Sequence, residues 1–86
     1  MANHASAKKR IRQTHKKTAR NKHIRSTVRS FVKRVHAAVE AADKSAATDA
    51  LKIAVRSIDA AVSKGAYHRN TGSRYVSRLS RQVSAL

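Results

Sequence analysis

Proline is missing from the chain altogether, and glycine occurs only at Gly65 and Gly72. Everything before residue 65 therefore lacks the two residue types that most readily break a helix. Helix is the default wherever an apolar stripe supports it. Such a stripe begins at Ile24: Ile24, Val28, Phe31, Val32, Val35, Val39 and Ala42 step by 4, 3, 1, 3, 4 and 3. These steps define one helical face about 100° wide, with Arg25, Arg29, Lys33 and Arg34 outside it.

Asp43-Lys44-Ser45 interrupts this pattern, and Asp43 is suited to cap a second helix. On that helix Leu51, Val55, Ile58 and Val62 form the stripe, with Ala47, Ala50, Ala54 and Ala61 beside it. Small residues there allow a neighbouring helix to approach closely. Lys64-Gly65 supplies a cation in the last turn and a glycine just past the end. The connection Ala66-Tyr67-His68-Arg69-Asn70 leads to a third helix, with Asn70 or Thr71 as the expected cap. Val76, Leu79, Val83 and Leu86 form its apolar stripe, and Arg74, Arg78 and Arg81 lie opposite. Gly72 early in this helix is expected to weaken it by about 1 kcal/mol relative to Ala.

Three stripes and short connections predict an all-α fold, an antiparallel three-helix bundle with an extended, highly basic N-terminal helix. No strand pattern, internal repeat or linker stands out. Residues 1–86 are read as one domain, with a basic extension over about 1–23 and the bundle over about 24–86.

The extension contributes least to folding. Residues 7–25 read AKKRIRQTHKKTARNKHIR; nine of these nineteen are Lys or Arg, and none is Asp or Glu. Between residues 8 and 23 only Ile11 and Ala19 are apolar. A helix polar on every side has no dry face to bury in its own protein. Like charges four apart, as in Lys8–Arg12, Arg12–Lys16 and Lys16–Arg20, oppose it by about a few tenths of a kcal/mol each. Free in water, residues 1 to about 20 are expected to fray. Surrounded by phosphate, the same charges cease to oppose the helix.

Formal charge totals +16, of which residues 1–34 carry +12 and residues 35–86 carry +4. So much like charge calls for a polyanion, nucleic acid first and an anionic membrane surface second. A membrane-surface helix needs bulky apolar residues opposite its cations, and residues 8–23 lack them. No apolar run approaches the roughly 20 residues of a membrane span, and no secretory signal is present. With cysteine also absent, the chain is read as cytoplasmic.

Catalysis lacks its materials. Glu40, Asp43, Asp49 and Asp59 are isolated, and the five histidines (4, 15, 23, 36, 68) show no metal-ligand spacing. No glycine-rich phosphate loop occurs. The chain is expected to be no enzyme and to hold no cofactor or metal.

Charge alone makes Lys8, Lys9, Arg10, Arg12, Lys16, Lys17, Arg20, Lys22, Arg25 and Arg29 candidate phosphate contacts. A second set, Lys64, His68, Arg69, Arg74, Arg78 and Arg81, forms a possible second ridge, against the plainer reading of a solvated helix face. Lys33 and Arg34 are divided evenly between contact and solvated surface. Aromatic residues number three, Phe31, Tyr67 and Tyr75, so base stacking is poorly supplied. Tyr67 is read as an apolar anchor ahead of a stacking platform. What remains is recognition of backbone and shape. A rod with cations all round suits a folded RNA, whose helices converge from several directions, better than one straight DNA duplex. The competing reading is a histone-like DNA-compacting protein. Such proteins usually self-associate, and no apolar stripe is left over for a dimer, so no homo-oligomer is expected.

Several stretches together resemble the bacterial small-subunit ribosomal protein S-twenty family. They are Met1-Ala2-Asn3-His4-Ala5-Ser6-Ala7-Lys8-Lys9-Arg10, Ala41-Ala42-Asp43-Lys44, Ile58-Asp59 with Ala61, and Lys64-Gly65. His68, Asn70, Arg74 and Ser77-Arg78-Leu79 follow in order. The resemblance covers essentially the whole chain. It implies a three-helix bundle with a long first helix, lodged among 16S rRNA helices of the small ribosomal subunit. It also implies direct binding to that RNA early in assembly, with no catalytic role. The family's RNA-facing positions fall here on Asn3, Ser6, Lys8, Lys9 and Arg10, and later on Lys64, His68, Asn70, Arg74 and Arg78. The chain departs from the family pattern at Ala66-Tyr67, Gly72-Ser73 and Tyr75-Val76. These departures imply a third helix that starts less firmly and touches RNA through fewer cations.

Overall fold

The computed structural model describes residues 5–86. Three α-helices follow one another: α1, Ala5–Glu40; α2, Lys44–Ser63; and α3, Arg69–Ser84. They form the expected all-α bundle. Arg20 on α1 meets Lys64 at the far end of α2, so these two helices run antiparallel. Gly72 near the start of α3 lies against Ile58 and Val62 near the end of α2, so α3 turns back along α2. The molecule measures 57 × 20 × 15 Å. Its long dimension is close to the ~54 Å expected for a helix of α1's length.

The core is a narrow seam. Val28 and Val35 of α1, Ala47, Ala54, Ile58 and Ala61 of α2, and Gly72, Leu79 and Val83 of α3 are buried. Ala66 in the α2–α3 connection joins them. Val28 and Val35 are seven residues apart, as are Ala47, Ala54 and Ala61, which is the spacing of helices crossing at a shallow angle. The alanines expected beside the α2 stripe are therefore its centre, while Leu51, Val55 and Val62 are only half-buried. With methyl groups on the seam, α1 comes close to the α2 backbone.

Both helix junctions close in the same way. At the end of α1, Asp43 N–H donates to Ala38 C=O at 3.1 Å and Ala42 N–H donates to Val39 C=O at 3.0 Å. At the end of α2, Ala66 N–H reaches Ala61 C=O at 2.9 Å and Gly65 N–H reaches Val62 C=O at 3.0 Å. These paired bonds satisfy carbonyls that the helix leaves open, and they need a left-handed residue at the turn. Gly65 takes that conformation at φ 80°, and Ala42 takes it at φ 54°. Ala42 is thus exposed in the turn and leaves the α1 stripe, a correction to its expected place on the core face. Asp43 caps α2 as expected, its carboxylate accepting from Ala46 N–H at 3.1 Å.

Three details of α3 differ from expectation. Its cap is His68, whose Nδ1 accepts from Asn70 N–H at 3.2 Å, because the chain is already helical at Arg69. Leu86 lies beyond the helix and is exposed. Gly72 is no weakness: a Cβ there would stand 2.5 Å from Val62 Cγ2. The missing side chain is what lets α3 lie against α2.

Candidate nucleic-acid interface

Residues 8–20 are exposed without exception. Since Arg20 stands level with the end of α2, residues 5–19 project beyond the bundle by about 20 Å at 1.5 Å per residue. Ser6, Lys8, Lys9, Arg10, Arg12, Lys16 and Lys17 lie on this projection, and Lys22 is exposed just below it. Successive residues rotate by 100°, so the cations surround the rod. Asn3 lies outside the described residues.

Arg20 does more than present charge. Its Nη2 donates to Lys64 C=O at 2.9 Å, which places a cation on the carbonyl end of α2, where the helix dipole favours one. The arm is therefore tied to the bundle at its base. Beside this tie the side-chain oxygen of Asn21 is buried without a hydrogen-bond partner among the described residues. Further down, Arg25 is half-buried and Arg29 exposed. Arg34 covers the Phe31 ring at 5.2 Å from its centroid. That gives Arg34 a contact within the protein, worth about 0.5–1 kcal/mol at an exposed site.

The second basic set is continuous with the α2–α3 turn. Lys64 ends α2, His68 caps α3, and Arg69, Asn70, Arg74, Arg78 and Arg81 are exposed along α3. With Nδ1 of His68 occupied as an acceptor, Nε2 carries the proton and is the donor left for a partner. Asn70 gives its backbone N–H to that cap and keeps its side chain exposed.

The structure brings together two groups that lie apart in the sequence. Tyr67, in the turn, meets Tyr75 of α3 edge to face, with centroids 5.7 Å apart and planes at 62°. Tyr67 packs half-buried against the core, and Arg25 and Arg29 of α1 act on its phenol. Burial, with Tyr75 second, raises its pKa above the usual phenol value, against the opposing pull of these two guanidiniums. The phenol stays a neutral hydrogen-bond donor. Tyr75 also lines a surface cavity of about 140 Å³ with Thr71, Arg74 and Arg78. A signal for this grouping is present in the sequence, since 71, 74, 75 and 78 fall on one helical face. Its connection to Tyr67 depends on the turn and is not legible there.

Glu40, Asp43, Asp49 and Asp59 all fall between the end of α1 and the end of α2, so the arm contains no acid, while the second basic surface borders one where Asp59 and Arg69 line the same surface cavity. Among the described residues no group of His, Asp or Glu could hold a metal ion. No described helix is long and apolar enough to cross a membrane.

The family model described as ribosomal protein S20 matches residues 2–84. The chain is 55% identical to the small ribosomal subunit protein bS20 of Geotalea daltonii and to that of Geobacter sulfurreducens. It is 51% identical to the protein of the same name from Lachnoclostridium phytofermentans. Each alignment spans 100% of this chain and 99% of the relative. A family match over residues 2–84, together with 55% identity to a relative across the whole of this chain, establishes that the chain belongs to the ribosomal protein S20 family.

Proposed function

We propose that this protein is a structural, non-enzymatic constituent of the small ribosomal subunit, that it binds 16S rRNA directly, and that it helps fold and hold that RNA during assembly. The observation that carries this reading is the acid-free rod of α1, exposed on every side and projecting past the bundle. Such a rod gains nothing within its own protein and can meet several phosphate rows at once. Residues 1–23 act as the RNA-penetrating extension and residues 24–86 as the bundle that positions it. Ser6, the arm cations and Arg25 and Arg29 form one contact surface. Lys64, His68, Arg69, Asn70, Arg74, Arg78 and Arg81 form the second. Asn3 belongs with the first surface by its place in the sequence. The protein acts as a single copy, because the apolar seams of all three helices are used inside the bundle.

Binding to 16S rRNA and to a DNA duplex of equal length, compared from 50 to 200 mM salt, tests the reading. Saturable binding to the rRNA is expected, weakening about 10³–10⁵-fold over that range if ~6–10 phosphates are contacted, by the duplex rule. Equal affinity for the duplex at every salt concentration would contradict it and favour DNA compaction.

A further inference from the structure

The tyrosine pair lies where both basic surfaces meet. Tyr75 has Arg74 and Arg78 beside it in the cavity with Thr71. Across the pair, Tyr67 is under the influence of Arg25 and Arg29. Four guanidiniums and a hydroxyl thus surround two aromatic rings, and the four side chains that line the cavity include no acid. Backbone recognition alone needs no aromatic floor. At about 140 Å³ the cavity has room for one ring or one phosphate, not for a duplex.

We propose that this cavity on α3 holds the base of a single unpaired nucleotide of the bound RNA, stacked on Tyr75, while Arg74 and Arg78 grip the attached phosphate outside it. Unpaired bases are the part of an RNA that aromatic side chains can stack against. Arginine pairs supply the forked donors that phosphate oxygens accept. Tyr67 braces the Tyr75 ring edge to face, which fixes the stacking surface before the RNA arrives. The inference rests on the proposed rRNA-binding role and adds a base-directed contact to an interface otherwise made of charge.

Two substitutions and one cross-link test it. Tyr75→Leu keeps an apolar side chain over the core, and circular dichroism and the melting temperature confirm that the bundle is intact. Its affinity for 16S rRNA is expected to fall about tenfold, with the salt slope unchanged, because stacking releases no counterions. Tyr75→Phe keeps the ring and should bind like the parent. Ultraviolet irradiation of the complex, followed by exhaustive nuclease digestion of the RNA and then trypsin, should leave one nucleotide on the peptide Tyr75–Arg78. Parental affinity for Tyr75→Leu, or nucleotide adducts that avoid this peptide, would overturn the proposal. Loss of all rRNA binding by the unaltered protein would instead overturn the functional reading beneath it.

Discussion

Gly72 and Val62 decide how closely α3 can lie against α2. By intrinsic propensity Gly72→Ala should gain about 1 kcal/mol. A methyl 2.5 Å from Val62 Cγ2 instead forces the helices apart or the valine out of place, at about 1–3 kcal/mol. Steric conflict wins, and Gly72→Ala is expected to lower the melting temperature by several degrees. Adding Val62→Ala to that variant makes room for the methyl and should recover part of the loss, which a double-mutant cycle measures. Ala42 shows the opposite case. Its φ of 54° costs a non-glycine residue about 1–2 kcal/mol. Ala42→Gly removes this strain but adds freedom to the unfolded chain. A net gain of up to about 1 kcal/mol is expected, seen as a higher urea midpoint with an unchanged m-value.

At the scale of elements, α2 and α3 are held by packing and caps, and the first half of α1 by neither. Amide hydrogen exchange should therefore divide α1 in the free protein. Residues 8–19 should exchange quickly and residues 28–38 slowly, and saturating 16S rRNA should slow the first set. Uniform slow exchange before RNA is added would show that the rod is stable by itself. Asp43→Ala removes the α2 cap and should cost about 1 kcal/mol in a thermal melt. Much of this layer is legible in the sequence. The valine stripe of α1, the Asp43 cap and the Lys64-Gly65 stop are local signals, each set by residues within a turn or two. The alanine seam of α2 is not, because its position depends on how near α1 comes. His68 escapes notice as a cap because Asn70 and Thr71 are better cap residues by type, and the helix begins too early for them. Gly72 reads as a defect because its value lies in Val62, on another helix. For the candidate interface, charge picks out the cations directly, but no single segment places Tyr75 beside Tyr67 or Arg20 on Lys64.

At the scale of the molecule, the rod and the bundle divide the labour. The bundle carries the apolar seam and all four acids, while six cations, Lys8, Lys9, Arg10, Arg12, Lys16 and Lys17, lie on the projection before the Arg20 tie. Removing residues 1–19 while keeping Arg20 separates the two directly. Because residues 8–19 bury nothing in the bundle, the truncated protein should melt within a few degrees of the parent. Its binding to 16S rRNA should weaken by at least about 100-fold, with the logarithmic salt slope reduced by about 5 for six phosphates no longer neutralised. Binding and salt slope left at the parental values, or a bundle that no longer folds, would contradict the claim that the rod exists for RNA and not for the fold.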